Sequence, residues 1–307
     1  MADITAARIN NLQSSIALIL GTGSGQNGYG QTVTSIPVNN TGDIVEATDM
    51  NAIYADILKA RVHQVGIGDI GIAQVVQNLN TVAEQTSSYI NDQGVESIDP
   101  EGFKKGIVDF ETLMSQVQTD KATMHPSQSA LEPGISSARS SAWNGLIAHE
   151  VAITFSSSNA RRFFFNTGGE IRLSANNTGA STPKGLDWAQ LCSQAGTIKF
   201  NAETTTSTTG GGTSIGNYDL TSAFQNIYQK IGSGTYSAVY AGNIYTVKAR
   251  SDVDTRIIFR IEFNDVVFDN NIDNNVDGRL ESVIQHLRAD GDVTITAPSY
   301  YNSQTLA

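Results

Sequence analysis

The feature that most constrains this chain is a change in the spacing of its apolar residues near residue 140. A helix returns a side chain to one face every three to four residues and a strand every two, so the change joins two kinds of architecture in one polypeptide. In the first part Ile9, Leu12, Ile16 and Ile19 form a heptad-like stripe that Gly21 ends. Ile53, Ile57, Ala60 and Val62 follow Thr48, whose hydroxyl is suited to cap free backbone N–H groups. Ile72, Val75, Val76, Leu79, Val82 and Ala83 make a third helical pattern. Asp99-Pro100 opens a fourth through Phe103, Ile107, Phe110, Leu113, Met114 and Val117, with the proline at a position where its missing N–H costs nothing.

After residue 140 the period is two. Val151, Ile153 and Phe155 alternate, and residues 161–175 read as a hairpin turning at Asn166-Thr-Gly-Gly169. Further strands are predicted at 196–202, 235–241, 244–250 and 256–268, with a final pair, 282–288 and 292–297, joined by Asp290-Gly291. Helical inserts are predicted at 186–195 and 220–231, and 204–214 reads as a low-complexity loop. The predicted fold class is α+β. A mainly helical attachment region (1–125) leads through a linker (126–142, holding Pro126, Pro133 and Gly134) to an antiparallel, jelly-roll-like β-sandwich (143–307) with two helical inserts.

Ser, Thr, Asn and Gln supply about a third of the 307 residues while charged residues are 16%, a balance that suits exposed β-structure. A net charge of −11 argues against a basic surface that holds a nucleic-acid backbone, so no nucleic-acid partner is expected. The best apolar run near the start, Ile16 to Leu20, is too short for a signal or a membrane span, and no membrane insertion is expected. The single cysteine, Cys192, forms no internal disulfide; stability must come from packing and oligomerisation.

Gly23 to Gly28 matches the dinucleotide spacing GxGxxG, but a helix precedes it and an extended stretch follows, the reverse of the strand-to-helix context that presents N–H groups to phosphate. A structural turn is the expectation. Asp273, Asn275 and Asp277, followed by Gly278, reproduce half of a calcium loop; the twelfth position, Ile284, lacks the required carboxylate, so calcium is the only cofactor candidate and a solvated turn the favoured reading. His63, His125, His149 and His286 are scattered, with no zinc or HExxH spacing, and read as hydrogen-bonded structural residues. Asp265/Asp269 and Asp252/Asp254 are ordinary turn carboxylates rather than a glycosidase pair. Arg161-Arg-Phe-Phe-Phe165 is expected to pack a core from a strand buried on both sides.

Two stretches carry a resemblance. Leu12 to Ile16 leading into Ile19 to Gln31, with Asp49-Met-Asn51 and Arg61-Val-His-Gln64, resembles the N-terminal region of tailed-bacteriophage virion structural proteins, notably those of cyanobacterial myophages. Arg161 to Leu173, followed by Asp187 to Leu191, is similar to a β-domain of the same group. The resemblance implies a non-enzymatic tail, baseplate or fibre component located in the virion, with other virion proteins as partners and homo-oligomeric assembly. A neck, collar or capsid-decoration protein is the alternative. A receptor- or glycan-binding module, with Tyr236, Tyr240, Tyr300 and Tyr301 as platforms for a host surface, is another. On this reading Ile9, Leu12, Ile16 and Ile19 are the assembly interface, and Ile9→Asp or Ile16→Asp blocks incorporation while leaving the β-domain folded.

Overall fold

The computed structural model describes residues 6–25, 27–38, 47–66, 89–90, 96–97, 100–267 and 275–306. They fall into two compact units: residues 1–129 with 162–167 and 289–295, and residues 130–161 with 168–288 and 296–307. The fold is α+β, with helices first and two antiparallel sheets after. The expected helix at 72–83 lies outside the described residues.

The first unit is built on three helices, α1 (Ala6–Leu20), α2 (Ala47–Val65) and α3 (Pro100–Thr119), each in contact with the other two. A two-residue hairpin, β1 (Tyr89–Ile90) with β2 (Glu96–Ser97), precedes α3. Ile9, Leu12, Ile16 and Ile19 of α1 bury against a core that includes Ile53 and Ile57 of α2 and Phe110, Leu113 and Val117 of α3. Arg8 fastens α1 to α3 through two bonds to Glu111, Nε to Oε1 at 2.8 Å and Nη2 to Oε2 at 2.6 Å.

The extended stretch 31–38 joins no sheet because helix side chains take its backbone. The Asp56 carboxylate accepts from the Thr34 and Ser35 amides at 2.8–3.1 Å and from the Thr34 hydroxyl at 2.8 Å. Asn10 both donates to and accepts from Val38, and Gln13 donates to the Ser35 carbonyl.

The second unit is a sandwich. Its strands are β3 (Ser129–Arg139), β4 (Gly145–Thr154), β5 (Glu170–Thr178), β6 (Ile198–Phe200), β7 (Thr205–Ser207), β8 (Gly212–Thr213), β9 (Gln225–Ile231), β10 (Ile244–Val253), β11 (Arg256–Asp265), β12 (Arg279–Ala289) and β13 (Ser299–Gln304). One sheet runs β13-β4-β11-β10-β9 and the other β3-β12-β5-β6-β7-β8. In the first, Val151, Ile153, Ile257, Phe259, Ile261 and Phe263 share the buried face set by the register Ile261↔His149 and Phe259↔Val151. Phe200 of the second sheet meets Phe259 edge-on at 5.1 Å between ring centroids. Helix α5 (Pro183–Ala195) buries Trp188, Leu191 and Cys192, and a further helix, α4 (Ser158–Asn166), lies between β4 and β5 in the chain.

Several expectations need correction. Residues 126–142 are not a linker: a 3-10 turn, Pro126–Gln128, leads into β3, and the first unit's main segment ends at Ser129. Pro133 and Gly134 sit inside that strand because it is a sheet edge, where a missing N–H is tolerated. The arm predicted to open a hairpin at 161 is helix α4 instead, started by the Ser157 hydroxyl accepting from the Ala160 amide at 3.0 Å. Phe164 and Phe165 are buried as expected, but from a helix.

Residues 225–231 of the insert expected at 220–231 form strand β9, which pairs with β10 as Tyr228↔Val247 and Ile231↔Ile244; the sheet partner overrides the helical spacing. Residues 235–241 are not a strand, since the Asp187 carboxylate accepts from the Tyr236 and Ser237 amides and a 3-10 turn follows. The loop expected at 204–214 carries β7 and β8, paired Thr205↔Thr213. The strand expected at 292–297 shrinks to one bridge, Asp290↔Thr294, because Gln128 takes the Asp290 amide on its carbonyl and the Asp292 amide on its side chain.

Candidate functional site

The glycine-rich loop at 21–30 closes the C-terminal end of α1. Its Gly28, Tyr29 and Gln31 amides donate to the Leu18, Ile19 and Leu20 carbonyls at 3.1, 2.7 and 2.9 Å, satisfying acceptors that a helix end leaves open. Arg162 donates to the Thr22 and Gly25 carbonyls, and Asn166 to those of Asn27 and Gly28. These amides point into the helix end and these carbonyls toward cationic or amide donors, the opposite of a phosphate cradle. Gly30, at φ +71°, lies where an added Cβ would come within 2.3 Å of the Phe163 ring, so this position takes only glycine.

The calcium candidate is not brought together. Asp273 lies outside the described residues, and the Asn275 side-chain oxygen accepts from Asn144 at 3.1 Å. The Asp277 carboxylate accepts from the Ser181 and Thr182 amides and from both of their hydroxyls, which anchors the start of α5. Burial works against its charge, yet these donors hold the Asp277 carboxyl below the usual carboxylate range. Its oxygens are thus committed to protein donors. Among the described residues no three His, Cys, Asp or Glu side chains are grouped to hold a metal ion.

The interface candidates are corrected as well. Ile9 and Ile16 are 0% exposed and Leu12 and Ile19 4%, all inside the chain's own helical core, so the stripe already has its partners. Sequence periodicity reports that a helix has an apolar face but not what covers it. The four tyrosines form no common platform: Tyr240 is buried, Tyr300 donates to His286 at 2.8 Å, and only Tyr236 and Tyr301 stand exposed.

Two histidine clusters brace the sandwich where its edge strands meet. His149 of β4 has Nδ1 3.0 Å from the Ser282 hydroxyl of β12 and Nε2 2.8 Å from the Asn302 side-chain oxygen of β13. This has the connectivity of a nucleophile, a base and an orienting amide, which sequence spacing does not reveal because His149 comes from a strand more than a hundred positions before the other two. Ser282 is 1% exposed and His149 0%, so no substrate carbonyl reaches the hydroxyl. Burial keeps the His149 ring below its ordinary pKa, against the bond to Asn302. Asn302 also donates to the Ser136 carbonyl of β3.

In the second cluster Glu132 of β3 accepts from Arg288 at 2.7 and 3.1 Å and lies 3.1 Å from His286, whose other nitrogen receives the Tyr300 hydroxyl. Arg288 holds the Glu132 carboxyl down, while burial lowers His286 against the pull of Glu132.

His63, in the first unit, is the histidine most affected by its surroundings. Nε2 donates to the Thr167 carbonyl at 2.9 Å, and burial pushes the ring pKa down to about 4 against the pull of that bond and of Asp292. The unfolded chain takes up a proton near pH 6.5 that the folded unit refuses until about pH 4. The stability held above pH 6.5 is therefore expected to fall by about 3 kcal/mol as the pH drops through that window. Urea unfolding at pH 7.5 and 4.5 measures the loss, and His63→Gln should flatten that part of the profile; an unchanged slope in this variant contradicts the assignment.

No protein-family model matches the chain, and no curated protein or solved structure is significantly similar to it. Among the described residues no helix is long and apolar enough to cross a membrane.

Proposed function

We propose that this protein is a non-enzymatic structural component of a tailed-bacteriophage virion, in the tail, baseplate or fibre apparatus, acting through shape and contact area. The observation that carries this reading is the use made of the sandwich's chemically capable groups. His149, Ser282, Asn302, Glu132, His286, Arg288 and Tyr300 bond from strand to strand, and Asp277, just before β12, ties down the start of α5, bracing a rigid block. Buried polar networks of this kind specify one arrangement when every member is satisfied. The resemblance of residues 12–31 and 161–173 to virion proteins supports the same reading, as does a low charge density, which limits repulsion among many copies around a symmetry axis.

The test is fractionation of purified particles, with the chain followed by mass spectrometry. Recovery at stoichiometric level in a tail-only fraction supports the proposal, and recovery only with tail-less capsids moves the protein to the neck or head. Absence from every particle fraction refutes it.

A further inference from the structure

Between α5 and the end of β11, Lys184 and Asp265 meet with both side chains 0% exposed, Nζ 2.6 Å from Oδ2. Burying both charges is costly, and such a pair holds only when hydrogen bonds of good geometry satisfy the remaining lone pairs and protons. That condition is met only in part here: neither Asp265 oxygen has a hydrogen-bond partner of normal geometry, and only the Lys184 amine and the Val267 backbone favour its charge. The amine sits close to the carboxyl group but off the line of a proper bond to it. Nζ also donates to the Val267 carbonyl at 2.9 Å. The surroundings are aromatic: the Tyr240 ring centroid is 6.0 Å from Nζ, and Trp188, one turn along α5, packs on Phe263, two residues before Asp265.

We infer that Lys184 Nζ and Asp265 Cγ condense to an intramolecular amide cross-link. In so dry a site each ion loses its hydration, which weakens the charged pair against a neutral product. Burial pushes the Asp265 carboxyl up, opposed by Lys184. A proton passes from Nζ to the carboxylate across the existing contact. The Nζ lone pair then attacks Cγ, the C–N bond forms, and one C–O bond breaks. The departing hydroxyl takes a second proton from nitrogen and leaves as one water, with no oxidant or cofactor required. The product replaces two buried charges by a neutral amide whose single N–H already faces the Val267 carbonyl. The cross-link would fix the first turn of α5 to β11, independently of whether the protein belongs to a virion.

The experiment is intact-mass spectrometry of the full purified chain under denaturing conditions. The expected mass is that of the sequence less one water, with a tryptic branched peptide uniting the segments around Lys184 and Asp265, and no cleavage after Lys184. Lys184→Arg and Asp265→Ala should each restore the full sequence mass. A wild-type chain at its full mass overturns the inference, and that reading needs no variant to fold. A water loss that persists in both variants overturns it too, by placing the dehydration elsewhere.

Discussion

Ile9→Asp is expected to melt the three-helix unit rather than to spare the fold and block assembly. The Ile9 side chain is fully buried in the interior of α1. Truncating such a residue to alanine alone costs about 2–5 kcal/mol. A carboxylate adds the penalty of an unpaired buried charge, about several kcal/mol more, or is driven to its protonated form. A unit whose whole stability is on the order of 5–15 kcal/mol has little left after that loss. Far-UV circular dichroism should show reduced helix content, and amide exchange should lose its slow class in α1, α2 and α3 while the sandwich strands keep theirs. Wild-type helicity and unfolding midpoint would mean that Ile9 faces a surface, restoring it as an assembly contact.

Arg161→Met should strongly destabilise the sandwich unit. The guanidinium is 7% exposed and donates to the Asn217 side-chain oxygen at 2.7 Å and the Ser251 hydroxyl at 2.6 Å. Longer bonds reach the carbonyls of Asn217, Asp254 and Arg256 at 3.4 Å. Methionine keeps much of the volume and removes every donor, at a cost of about 1–3 kcal/mol for each acceptor left buried without a partner. Arg161→Lys should recover only part, since an ammonium cannot span acceptors arranged for a planar fork. Denaturant unfolding followed by tryptophan emission reads both, because Trp143 and Trp188 lie buried in this unit. A shift below about 1 kcal/mol for Arg161→Met would show that water replaces the lost donors.

The elements legible in the sequence are those whose pattern is local. Helix α1 follows from the stripe Ile9 to Ile19, α3 begins at Pro100 where the proline rule places it, and β4, β10, β11 and β12 emerge from alternation. What failed depended on partners far away in the chain. Phe163 to Phe165 read as a two-sided strand, and only the capping Ser157 marks a helix. Leu220, Phe224, Ile227 and Ile231 keep helical spacing, yet Ile227 and Ile231 belong to β9, whose backbone is claimed by β10. The braces around His149 and His286 gather residues more than a hundred positions apart, so no spacing motif announces them. The glycine-rich loop reads as a turn from its context alone, a helix before and no helix after.

The proline inside β3 bears on what happens when many copies crowd together. An outer strand with regular unpaired amides and carbonyls is a template for strands of other chains, and high local concentration turns such a template into fibres. Pro133 removes one donor from that row, and Asn302 occupies the Ser136 carbonyl. Copies can therefore accumulate without the β3 edge zipping into a continuous cross-β ribbon.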